Sequence, residues 1–190
     1  MKPQSMTVAE AQHDMRYAYF GGSTGLLASA LAWLASGVSC VVLSPASGVV
    51  VLLAGGVMIY PVSVGLSKAV GRPGVHTRGN PLGALALEGT VLMLLAIPLA
   101  YAISLYRLEW FFPAMLLVIG GRYLTFATLY GLRIYWACGG TLALVALLLV
   151  FAGAPIQAGA FVGAVVEFAF AVAVALAVRG GRLSPRKDAV

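Results

Sequence analysis

The chain reads as an all-α membrane protein, a six-transmembrane-helix bundle with both termini in the cytoplasm. Three observations predict this. Of its 190 residues 61% are hydrophobic and only 9% are charged, and the mean hydropathy is +0.97. A soluble domain carries roughly a quarter charged residues. The apolar residues fall into six runs, each close to the roughly 20 residues that cross about 30 Å of hydrocarbon. The basic residues gather at alternate ends of these runs, as the positive-inside rule requires. A membrane barrel would alternate polar and apolar residues over about 10 positions, and these runs do not.

The first 19 residues are a polar segment with a short amphipathic helix. Thr7-Val8-Ala9-Glu10 fits a capping box, in which Thr7 and Glu10 satisfy each other's free backbone donors. The helix therefore starts near Val8 and can run into the first span. The segment carries acidic residues and no A-x-A site, so it does not read as a secretory signal. Residues 20–178 form the transmembrane domain, with runs at Phe20–Leu43, Gly48–Leu66, Leu82–Ser104, Trp110–Tyr130, Ile134–Gly153 and Ile156–Val178. Ser44-Pro45, Gly71-Arg72-Pro73-Gly74, Asn80-Pro81, Arg107–Glu109, Gly131 and Ala154-Pro155 separate them with turn chemistry. Arg133 is the main interruption between the fourth and fifth runs. Residues 179–190 are a basic cytoplasmic tail.

Lys2 and Arg16, Lys68, Arg72 and Arg78, Arg133, and the tail residues Arg179, Arg182, Arg186 and Lys187 share one side of the membrane. The other side has only Arg107, beside Glu109. This asymmetry places both termini and the second and fourth loops inside. Tyr17, Tyr19, Tyr135 and Trp136 mark the inner interface, and Tyr106, Trp110, Phe111 and Phe112 the outer one.

The net charge of +6 does not indicate nucleic-acid binding, because no basic surface remains once the spans are removed. The lipid bilayer is the partner that the composition demands. Cys40 and Cys138 lie in apolar runs without CxxC or metal-ligand spacing and read as small buried hydrophobes. Glu10, His13 and Asp14 share one helical face; a weak metal site is conceivable there, and a solvated face is the ordinary reading. No metal or other cofactor is implied. HExxH, GxSxG and GxxxxGK[ST] are absent from the sequence, and no His faces a Cys or Ser nucleophile within the membrane, so enzyme chemistry is a minor reading.

Glu88, Arg122 and Glu167 are the candidate substrate or ion-pathway residues, since ionisable groups inside a membrane pair, line water or do work. Counted at 1.5 Å per residue, they lie about 10, 12 and 16 Å from the cytoplasmic ends of their helices. All three could meet in that half of the bundle, with Arg122 pairing one carboxylate. A substrate, ion or proton site is one reading, and an interhelical clamp is the other. Pro61 and Pro98 are candidate kinks, freeing the carbonyls of Val57 and Leu94. Gly21/Gly25 and Gly159/Gly163 have GxxxG spacing, and Ala28, Ala32 and Ser36 extend a small-residue stripe. These fit internal helix contacts or a homodimer seam. Two three-helix halves would be inverted relative to each other, but the flanking residues of Glu88 and Glu167 match poorly.

Several stretches carry a resemblance: Ala11-Gln12-His13-Asp14-Met15-Arg16, Asn80-Pro81-Leu82-Gly83 with Leu87-Glu88-Gly89-Thr90, and Glu109-Trp110-Phe111-Phe112-Pro113-Ala114-Met115. Gly120-Gly121-Arg122-Tyr123-Leu124-Thr125-Phe126 and Tyr130-Gly131-Leu132-Arg133-Ile134-Tyr135-Trp136 complete the set. Together they resemble, over nearly the whole chain, a family of small bacterial multi-spanning membrane proteins known only as a domain of unknown function. The resemblance implies a bacterial inner-membrane location and no activity, substrate or catalytic residue. Two functional expectations follow from the residues. One is a small transporter or channel for a small solute or ion, with a buried Glu/Arg/Glu cluster along its pathway. The alternative is a non-transporting interaction or regulatory subunit in which the buried charges only lock helix packing.

Overall fold

A computed structural model describes residues 6–180. The basic tail residues Arg182, Arg186 and Lys187, like Lys2, lie outside the described residues. Among the described residues all regular structure is helical: α1 (Val8–Ala18), α2 (Ser23–Val42), α3 (Pro45–Ala69), α4 (Leu82–Ser104), α5 (Phe111–Tyr130), α6 (Ile134–Phe151) and α7 (Ile156–Arg179). Helices α2 to α7 are long and apolar enough to cross a membrane, which makes this a multi-pass membrane protein.

The capping box forms as its sequence dictates. The Thr7 hydroxyl accepts the Glu10 amide at 3.3 Å, and the Glu10 carboxylate accepts the Thr7 amide at 2.8 Å. Helix α1 does not run into the first span. Phe20, Gly21 and Gly22 take positive φ angles of 51°, 67° and 88°, and this left-handed turn re-aims the chain before Ser23. Glycine suits that conformation at two of the three positions. Gly22 is also a close approach, since a Cβ there would strike the Tyr135 hydroxyl and the Tyr130 ring.

The second span begins earlier than the Gly48 expected from hydropathy. Ser44 caps α3 by accepting the Ser47 amide at 3.1 Å, and Pro45 occupies the first turn, where its missing N–H leaves no intrahelical bond unmade. Gly131, with φ of 63°, closes α5 and supplies the break before α6. Pro61 and Pro98 stand within continuous helices and are exposed on them.

The packing follows a sequence of neighbours. Helix α2 lies between α3 and α7, α5 lies between α6 and α4, and α7 joins the two groups through α6 and α5. The third helix of each half thus packs on the first helix of the other half: α7 on α2, and α4 on α5. Small residues set the closest approaches. A Cβ on Gly120 would come within 3.0 Å of the Gly139 carbonyl, and one on Gly55 within 3.0 Å of the Ala32 Cβ. Gly159 and Gly163 also serve internal contacts, against Phe112 and Trp33. Helix α2 is tied to α3 by Thr24–Ser67 at 2.8 Å and by the Ser36 hydroxyl donating to the Gly48 carbonyl at 2.8 Å.

At the α1 end of the bundle, Ala11, Met15 and Ala18 recur at helical spacing and are buried. They seat α1 against the end of α5, where Gln12 donates to the Thr128 carbonyl at 2.8 Å and Arg16 to the Tyr130 carbonyl at 2.6 Å. The α3–α4 loop folds back onto the same helix. Asp14 accepts from the Thr77 amide, the Thr77 hydroxyl and Asn80 at 3.0, 2.8 and 2.7 Å. Asn80 donates as well to the Ala11 carbonyl at 3.0 Å. Partial burial works against the Asp14 charge, but the hydrogen bonds from Asn80 and Thr77 outweigh it and hold the carboxyl below its ordinary range.

Candidate functional site: a buried carboxyl between three helices

Among the described residues Glu167 is the one carboxylate at the centre of the bundle, and it is 0% exposed. It projects from the middle of α7 toward α2 and α5. Trp33 of α2 donates its indole N–H to Glu167 Oε1 at 3.2 Å, and Tyr123 of α5 donates its hydroxyl to the same oxygen at 3.0 Å. The Ser29 hydroxyl, one turn before Trp33, adjoins the same carboxyl. Oε2 is buried without a partner among the described residues.

The sequence around Glu167 permits this geometry. Gly163 precedes it by one helical turn, and a Cβ there would come within 2.8 Å of the Trp33 ring and 3.1 Å of Leu116. The missing side chain lets the indole lie close against α7 and aim its N–H at the carboxyl. Gly159, another turn back, does the same for Phe112, whose β-carbon a Cβ would meet at 2.6 Å. Trp33 and Phe112 then pack at 5.9 Å between ring centroids.

From Tyr123 an aromatic column runs toward the α1 end. Tyr123 meets Phe126 at 5.4 Å and Tyr135 at 6.1 Å, and Tyr130 stacks on Tyr135 at 5.6 Å. The Tyr135 hydroxyl donates to the Gly21 carbonyl at 2.7 Å, so the column ends on the left-handed turn between α1 and α2. The buried carboxyl and the N-terminal docking site are linked through packed rings and hydrogen bonds.

The expected Glu/Arg/Glu cluster does not form. Arg122 is half-buried, and its hydrogen bonds go to neutral groups of α4: Nη2 to the Thr90 hydroxyl at 3.1 Å and Nη1 to the Met93 sulfur at 3.2 Å. Its guanidinium also lies 5.4 Å from the Phe126 ring centroid. Glu88 is exposed on α4. It stands two residues before Thr90, hence about 200° around the helix, on the flank away from the Arg122 contact. Among the described residues only Glu167 is a buried acid. Equal depth in the sequence did not imply a shared face, because side-chain azimuth is set by how each helix is rotated against its neighbours.

Sequence reasoning did not identify Trp33, Tyr123 or Ser29 as the surroundings of Glu167. The available signal was that a polar-edged aromatic inside a span needs a partner, and Trp33 and Tyr123 are such residues. The stretches that carry the family resemblance do meet in space: Asp14 bonds Asn80, and Arg16 bonds Tyr130. Among the described residues no group of three His, Cys, Asp or Glu is placed to hold a metal ion.

No curated protein and no solved structure matches the chain. Residues 8–177, from the first residue of α1 almost to the end of α7, match the family described as "Family of unknown function (DUF7010)", and the chain belongs to that family.

Proposed function

We propose that the protein is a non-transporting membrane interaction subunit whose ionisable residues lock its helices together. The observation that carries this reading is the double hydrogen bond on Glu167 Oε1, which pins α7 to α2 and α5 inside a fully buried site. Arg122 plays the matching part between α5 and α4. In hydrocarbon a polar side chain that joins helices satisfies its own hydrogen bonds and fixes packing at once. The subunit would sit in the bacterial cytoplasmic membrane with both termini in the cytoplasm. The distribution of Arg16, Lys68, Arg72, Arg78, Arg133 and Arg179 at one end, against Arg107 at the other, supports that orientation.

A second reading, a transporter or channel for a small solute or ion, is favoured by two observations. Glu167 Oε2 is a buried oxygen without a partner, and the third helices of the two halves are exchanged, an arrangement compatible with inverted repeats. In that reading Glu88, Arg122 and Glu167 would border the pathway, and Pro61 and Pro98 would supply its bends.

Water access separates the two. In protein with Cys40 and Cys138 replaced by Ala, Ser29→Cys places a thiol of nearly the same size beside the Glu167 carboxyl. Protection of that thiol from a small charged reagent in membranes is expected of a dry clamp. Rapid labelling in folded protein would overturn the interaction-subunit reading and favour transport. Glu88→Gln or Arg122→Gln should then abolish solute flux.

A further inference from the structure

We propose that α4 is the seam of a homodimer, in which Glu88 of each copy pairs with Arg122 of the other. Helix α4 is largely exposed. Only Gly89, Ala100 and Ser104 of its 23 residues are buried, against 11 buried residues among the 20 of α5. Helix α4 packs chiefly on α5. An outer helix can face lipid with leucines, but Glu88 lies about 9 Å past Leu82 at 1.5 Å per residue. A carboxylate at that depth facing acyl chains is costly, and membrane proteins cover such groups with a partner of opposite charge or with water.

The cation that fits is Arg122. It stands about 12 Å before Tyr130, at the same end of the bundle and at nearly the same depth. Two of its five N–H donors are used, one on each terminal nitrogen, so each Nη keeps an N–H for a further acceptor. Its own Glu88 is poorly placed to accept, because the Thr90 contact and Glu88 occupy opposite flanks of α4.

Symmetry turns this mismatch into complementarity. A twofold axis along the membrane normal keeps the depth of every residue and sets one α4 beside the other. It also brings the Arg122 flank of one copy against the Glu88 flank of its mate, twice per dimer. Such an isologous contact is the usual form of a homodimer interface. The interaction does not depend on whether the protein conducts a solute.

The test uses the full chain in lipid bilayers, with Cys40 and Cys138 replaced by Ala. Leu87→Cys and Leu94→Cys on exposed positions of α4 are expected to form intermolecular disulfides, and Leu144→Cys, exposed on α6, is not. Glu88→Lys should weaken association by about tenfold or more, since both pairs become repulsive. Arg122→Glu should do the same. Mixing the Glu88→Lys chain with the Arg122→Glu chain should restore dimers, all of them mixed, because both pairs are again of opposite sign. If Arg122→Glu fails to fold, the cysteine pattern and Glu88→Lys decide alone. A monomer at all protein-to-lipid ratios, cross-linking through Leu144→Cys rather than the α4 positions, or dimers indifferent to Glu88→Lys would overturn the proposal.

Discussion

Replacing Glu167 by Ala removes the one acceptor that serves both Trp33 and Tyr123. Each interhelical hydrogen bond in a membrane protein contributes about 1 kcal/mol. The space vacated by the carboxyl and a methylene, in a site with no exposure, adds about 1–2 kcal/mol. The sum is a loss of about 3–4 kcal/mol of stability. Glu167→Gln keeps a carbonyl oxygen for both donors and the same volume, so its cost is expected within about 1 kcal/mol of zero. Tyr123→Phe removes one bond and is expected to cost about 1 kcal/mol. Combined with Glu167→Ala it should cost less than the two changes added, by about 1 kcal/mol, because the Tyr123 hydroxyl is then no longer left without its acceptor and only the Trp33 N–H loses its partner. Denaturant titration of the purified protein in detergent, followed by helical circular dichroism, reads all four variants. Equal stability of Glu167→Ala and the parent, or equal damage by Ala and Gln, would refute the clamp. Strict additivity with Tyr123→Phe would refute the hydrogen bond itself.

Four further outcomes follow from the packing and the turns. Gly163→Ala should destabilise by about 1–3 kcal/mol, since its Cβ would crowd the rigid Trp33 ring. Gly121→Ala, which meets nothing within 4 Å, should be neutral or mildly stabilising in the same denaturation assay. Docking of α1 through Asp14 should depend on pH. The folded-state value is depressed, so its contribution is complete above the unfolded value of about 3.9 and fades as pH falls through the lower folded value. The Thr77 amide resonance should report this transition, and Asp14→Asn should abolish it. Gly22→Val should disrupt the turn between α1 and α2, because it combines a φ of 88° with a collision on Tyr135 and Tyr130. Faster proteolysis within residues 8–22 would reveal it, and unchanged proteolysis would show that the turn tolerates a branched side chain.

The sequence by itself determined the number, order and approximate ends of the membrane spans. That follows because hydrocarbon forces each crossing to be a continuous apolar helix, a property local to about 20 residues. It determined the α1 start for a similar reason, since the Thr7–Glu10 capping box closes within three residues. Local signals also explain the α3 start: Ser44 and Pro45 outweigh hydropathy because capping acts on the first turn directly. What only the tertiary structure decided is which face each helix turns to which neighbour. Glu167 finds Trp33 and Tyr123 at separations of 134 and 44 residues, and these meetings depend on helix rotation fixed by Gly159, Gly163 and the aromatic rings they admit. The same rotation sends Arg122 to Thr90 and leaves Glu88 on the outside of α4. Depth along a helix is written in residue count, whereas azimuth is a property of the whole packed bundle.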